Sequence, residues 1–414
     1  MTNGRFIHSL EKMRDPATAR LRNRYLQLPA FLGFCAIMAD AYVNAVLSYA
    51  PIADWAKVLH CNDGDAPTSS RLEALRADYA MSIAGDRSRA MGHLMNAASA
   101  AVGVDDAYVE PLRLWIEDGN CAAAANAWIS VLRANPTDMF ALKRAQVMCL
   151  FSGGNEKILE AALVAKEPAA SCEHTAFYAG MLSFGYEQAG DFKRAELVAK
   201  EAGELAHDRD CWLQHAYAHA LYFQGPERLR EGIEYLSSRS SQWTLTRLMP
   251  FLMSHLWWHL ALLISDAGDT DRALEIYTRR LWPKDADEAF LFDMQVQLNA
   301  LLLLKKIWAD NPEKEKDTLS MLADVIGRVQ TIGNSDMVDP LHRVLVAFAL
   351  GALGRNSDMR KHLEGQPPEL AVAVQNILDR AAPPTTDSNV RRAVGGSTEQ
   401  RIVLFGGGGS LRAQ

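Results

Sequence analysis

Apolar residues along this chain recur at i, i+3, i+4 and i+7 over long stretches, the spacing of amphipathic helices, and almost no run alternates apolar with polar as a half-buried strand would. The pattern is punctuated by short turns. Gly190-Asp191 divides the segment from Tyr178 to Glu196 into an outgoing and a return helix, with small residues where the two would touch and Ala195 inside the return. The same arrangement recurs at Gly268-Asp269 with Ala273, and more loosely at Gly225-Pro226 and Gly119-Asn120, at intervals of roughly 35–43 residues. Glu288 to Ile332 reads as two longer helices, and Met337 to Leu353 opens a further hairpin at Gly351 and Gly354.

A hairpin of this kind cannot bury its apolar face alone, so neighbours must stack. The predicted class is all-α: a right-handed α-solenoid of stacked helical hairpins, tetratricopeptide-like, with a short irregular C-terminal tail. Residues 1–105 form its N-terminal helical part, 106–380 the repeats, and 381–414 a linker and tail carrying Pro383, Pro384 and the run Gly406 to Gly409. Function is expected on the concave surface lined by the first helix of each repeat.

The chain has 414 residues, past the ~250–300 at which single cores stop growing, which suits an elongated stack. A formal charge of −7 argues against a general nucleic-acid binder. The six cysteines include no Cys-x-x-Cys pair and read as buried thiols of a reducing compartment. Met1 to Arg24 is polar and Arg-rich, unlike a secretory signal, and Leu28 to Ile52 is interrupted by Asp40 and Asn44, unlike a membrane span. A cytoplasmic protein with no membrane and no nucleic-acid partner is therefore expected.

The least ordinary chemistry is histidine. His215/His219 and His255/His259 are two i, i+4 pairs, each placing both imidazoles on one helix face. His215 to His255 and His219 to His259 are each 40 residues apart, one repeat, so the pairs belong to the first helices of adjacent hairpins and all four can face one groove. Three readings stand: satisfied core residues, acid-base or ligand-positioning groups, and ligands of a divalent metal, zinc or iron. No Asp or Glu sits inside either motif as in a His-Glu-x-x-His protease. Trp257 and Trp258, with Trp212 and Trp243 near in sequence, read either as pocket walls or as core filling. Glu173, Glu187 and Asp293 are the candidate carboxylate partners.

Several motifs in order resemble the tetratricopeptide repeat protein 38 family. They are Met91-Gly92-His93, the segment Asn135 to Lys143, the Tyr178–Ala195 hairpin, His215/His219, His255/Trp258/His259, His342, and Val394 to Arg401 with Gln400 and Arg401 at its end. The chain departs from that family at Ile402 and Pro340, where its members carry acidic residues. The resemblance implies the same helical architecture and the same histidines, but no particular reaction. The expected function is a small-molecule-binding and catalytic protein, acid-base or metal-assisted, with His215, His219, His255 and His259 as working groups and His93, Trp258, His342, Gln400 and Arg401 completing the ligand site. The alternative is a tetratricopeptide adaptor that binds a partner protein or peptide without catalysis.

Overall fold

The computed structural model describes residues 70–82, 86–100, 106–166, 172–205, 210–245, 248–291, 293–332, 340–364, 374–375 and 378. Leu28 to Ile52, the 381–389 linker, the glycine run, Gln400 and Arg401 lie outside them. Every regular element among the described residues is helical. None of these helices is long and apolar enough to cross a membrane. The chain divides into two compact units with a boundary between Glu117 and Asp118.

In the first unit, α1 (Ser70–Ser82), α2 (Arg87–Ser99) and α3 (Val109–Ile116) pack on one another. Arg87 ties the group together: its guanidinium donates to the carbonyls of Ile116 and Glu117, both at 2.9 Å, covering acceptors that the end of α3 leaves unused. His93 lies here, its Nδ1 2.8 Å from the buried carboxylate of Glu73.

The second unit runs α4 (Cys121–Ala134), α5 (Met139–Ser152), α6 (Asn155–Val164), α7 (Cys172–Gln188), α8 (Phe192–Leu205), α9 (Cys211–Tyr222), α10 (Leu229–Arg239), α11 (Pro250–Asp266), α12 (Thr270–Ile276), α13 (Glu288–Leu291), α14 (Met294–Asp310), α15 (Glu315–Ile332), α16 (Pro340–Ala352) and α17 (Asn356–Leu363). The helices α5, α7, α9, α11, α14 and α16 each pack on the next of that set, and α7, α9, α11, α14 and α16 each pack on the helix that follows them in sequence.

The Gly-Asp turns show why the sequence signature works. Gly190 and Gly268 take φ values of +83° and +90°, a left-handed conformation that ends one helix at little cost only without a Cβ. The following aspartates then cap the next helix, Asp191 accepting from the Arg194 N–H and Asp269 from the Arg272 N–H. Small residues within the helices set the spacing between them. A Cβ on Gly180 would stand 3.2 Å from the Leu213 nitrogen of α9, and one on Gly185 3.0 Å from the Leu159 Cα of α6. Ser183 uses the same closeness to donate to the carbonyl of Ala195, at 2.8 Å.

Two helices are covered on nearly every side. All residues of α9 from Cys211 to Leu221 are buried, and α11 is buried from Ser254 to Ile264. Side chains on these two helices are therefore screened from water whichever face they occupy, and these are the helices that carry the paired histidines.

Candidate metal centre

The four imidazoles meet edge to edge. The Nε2 of His215 on α9 lies 3.0 Å from that of His255 and 2.9 Å from that of His259, both on α11. The Nε2 of His259 also lies 3.1 Å from that of His219 and 3.1 Å from that of His255. None of the four residues is more than 6% exposed. The donor atoms of His215, His219 and His259 lie within 4.8 Å of one another, a cluster able to hold a metal ion.

Hydrogen bonding within the set cannot account for this geometry. A neutral imidazole nitrogen carries either one N–H or one lone pair in the ring plane. Four such nitrogens joined by four short contacts make at most two linear hydrogen bonds, and the closed triangle of His215, His255 and His259 sets at least one lone pair against a lone pair or one N–H against an N–H. Protonation makes matters worse. Burial, followed by the charges the other histidines would carry and that of Lys143, holds His215 well below the usual range. Burial, with His255 and His219, does the same to His259. Burial pushes His255 down to about 3, against the raising effect of its hydrogen bond to Asn299 and together with the charges of His219 and Lys143. Three of the four imidazoles are thus neutral at ordinary pH, the form in which histidine ligates metals.

The outer partners fix which nitrogen carries the proton. Ser254 Oγ donates to the Phe251 carbonyl at 2.9 Å and accepts from Asn299 Nδ2 at 2.8 Å. That turns Asn299 Oδ1 toward His255, 3.3 Å from its Nδ1. An amide oxygen only accepts, so Nδ1 of His255 bears the hydrogen and its Nε2 lone pair faces the cluster. On the α9 side, the buried carboxylate of Glu187 stands 3.8 Å from His219 Nδ1 and accepts from Gln188 Nε2 at 2.6 Å. Outer-shell acceptors that orient ligating histidines in this way are the usual second half of a metal site. Asn299→Ala is accordingly expected to weaken metal binding 10–100-fold with little loss of helix content, as read by competition with a chromophoric chelator and by circular dichroism.

Aromatic rings wall the cluster. The centroid of Trp258 is 5.2 Å from that of His255 and 4.7 Å from that of His259, and the centroid of Trp212 is 5.5 Å from that of His215. Trp257 turns elsewhere, edge-on to Trp243. Beyond Trp212 lies the Lys143 amine, 3.3 Å from that ring's centroid and lowered by burial to about 7. The cavity bordering His219 and His259 measures about 10 Å³, room for one water-sized guest.

The remaining expected residues are placed otherwise. His93 is bound to Glu73 in the first unit. His342 is buried on α16, its Nε2 donating to Gln297 Oε1 at 3.1 Å, and Gln297 is oriented by its own bond to the Leu291 carbonyl. Asp293 caps α14 through the amides of Gln295 and Val296. The side chain of Glu173 lies outside the described ones. Cys121, Cys149 and Cys211 are free thiols, and burial pushes Cys149 up to about 12, an unreactive state. Sequence reasoning missed Asn299, although a polar residue set in the apolar run Leu298 to Leu304 was a readable signal.

His342 provides a check on burial independent of the cluster. Burial first, then the charges of His362 on α17 and Arg343 on α16, holds it down to about 4, against 6.5 in an unfolded chain. Between those values the unfolded chain binds more protons, so stability is intact above pH 6.5 and falls as pH drops toward 4, by on the order of 3 kcal/mol in all. The gap in unfolding free energy between wild type and His342→Gln is therefore expected to shrink from pH 7 to pH 5 in urea titrations. A pH-independent gap would mean that His342 protonates as freely folded as unfolded.

No family model matches the chain.

Proposed function

We propose that this protein is a metal-binding helical-repeat protein that holds one divalent transition-metal ion, of the zinc or iron class, on His215, His219, His255 and His259. The observation that carries the reading is the meeting of four Nε2 atoms at 2.9–3.1 Å in a buried site where hydrogen bonding satisfies at most half of the contacts. A cation accepts all four lone pairs at once. At a metal–nitrogen distance of ~2.0–2.1 Å, a tetrahedral ion sets its ligand nitrogens about 3.3 Å apart, so the four close pairs need open by only a few tenths of an ångström. All-imidazole donors suit zinc, iron, copper and nickel rather than magnesium or calcium.

The repeat reading extends the proposal to the fold. The chain is a tetratricopeptide-type solenoid, similar to the tetratricopeptide repeat protein 38 family, in which adjacent first helices each contribute one His-x-x-x-His pair. The Gly-Asp caps, the small residues at helix contacts and the sequential packing of α5, α7, α9, α11, α14 and α16 support it. In this reading the 40-residue period places ligands on neighbouring helices without any loop having to reach across.

Elemental analysis of untagged protein, beside His215→Ala and His259→Ala, is the test. About one zinc or iron per chain is expected in the wild type and much less in either variant. A folded wild type that neither contains nor takes up such an ion would sink the proposal.

A further inference from the structure

The cavity beside the histidines has a definite place in the helix pair. Along α9 the residues facing it are Ala218, His219 and Tyr222, and along α11 they are His259, Leu262 and Leu263. One turn past Ala218 and one turn past Leu262, Tyr222 donates its hydroxyl to Asp266 at 2.6 Å, and the Lys306 ammonium holds the other oxygen of Asp266 at 2.6 Å. The sequence of layers is thus two of histidine, then a space, then a polar bridge. Ala218, 2% exposed, is the small residue that borders the space.

Resting on the metal reading above, we infer that the ion held by these imidazoles takes one additional, exogenous ligand of water size from this cavity, so that the centre is open rather than saturated by protein. Structural sites are closed by protein donors, whereas reactive ones keep a position for water or substrate. Here the two imidazoles that line the space, His219 and His259, also belong to the converging set, so the space adjoins the point where an ion would sit. The walls offer a polar guest few hydrogen-bonding groups. A buried water makes two to four hydrogen bonds, whereas the lining offers Ala218, Leu262 and Leu263, two imidazoles whose Nε2 atoms are engaged with the cluster, and a tyrosine whose hydroxyl is committed to Asp266. The guest is held by the ion and selected by size: water, hydroxide or a diatomic ligand enters, and a larger one does not. Tyr222, whose hydroxyl is bonded to Asp266, completes the lining.

Cobalt(II) loading of the full chain reads this directly, because a four-coordinate ion absorbs visible light several-fold more strongly than a five-coordinate one. The wild type is expected to give the weak five-coordinate spectrum, shifting on addition of cyanide. Ala218→Leu fills the space and is expected to raise the absorption several-fold and abolish the cyanide response. Leu262→Ala enlarges it and is expected to let azide shift a spectrum that azide leaves unchanged in the wild type. If Ala218→Leu does not give a cooperative melt, the Leu262→Ala comparison decides alone. A strong four-coordinate wild-type spectrum that cyanide leaves unaltered, with cobalt bound at one per chain, overturns the open position and leaves the metal site standing. Failure of folded wild type to bind cobalt or zinc at all removes both.

Discussion

Zinc restored to chelator-stripped wild-type protein is expected to raise its melting midpoint by about 8–16 °C, and in His259→Ala the rise is expected to vanish. A ligand that binds only the folded state stabilises it by RT ln(1 + [L]/Kd), about 4 kcal/mol at a free concentration 1,000 times Kd. For folded units of 150–250 residues each kcal/mol moves the midpoint by about 2–4 °C. His259 is the informative position because its Nε2 touches those of His215, His219 and His255, at 2.9, 3.1 and 3.1 Å. Removing it costs the ion a ligand, but it also relieves the stripped protein of contacts that hydrogen bonding cannot satisfy. The penalty of the mutation should therefore be large with zinc present and small without it. A histidine serving only as core filling costs the same in both conditions, and that outcome would count against the metal site.

Much of this was legible from spacing. The helical period, the Gly-Asp punctuation and the 40-residue offset between His-x-x-x-His pairs are local properties of the chain, and the Nε2 contacts of His215 with His255 and of His219 with His259 follow that offset. What spacing could not convey was depth. An i, i+4 pair reads the same on a groove wall as on a helix buried all round, and burial of α9 and α11 depends on the helices packed around them. The size of the space beside His219 and His259, about 10 Å³, is set by that packing and could not be read from spacing. Long-range partners were equally hidden. Asn299 reaches His255 across 44 positions, and His342 finds Gln297 rather than the cluster, because side-chain direction on α14 and α16 is set by packing that no local motif encodes.

Trp258→Ala is expected to cost about 3–5 kcal/mol of stability, the range for deleting a buried aromatic ring, while Trp258→Phe costs a fraction of that. Trp258 is fully buried, and among the described residues its Nε1–H has no hydrogen-bond partner, so exchange for phenylalanine removes a buried donor without stranding an acceptor. The ring lies against both α11 histidines, with centroids 5.2 Å from His255 and 4.7 Å from His259. Emptying that volume frees both imidazoles to change rotamer, which links a packing defect to the site. Zinc affinity in Trp258→Ala should fall with stability, by 10–100-fold if the ring matters as much as an outer-shell hydrogen bond does, and should be largely kept in Trp258→Phe. Melting curves and chelator competition on the two variants separate these effects. Lost stability with unchanged affinity would show that the helix backbones of α9 and α11 alone aim the imidazoles, whereas a joint loss in the alanine variant, spared in the phenylalanine one, would assign the aim to the aromatic wall.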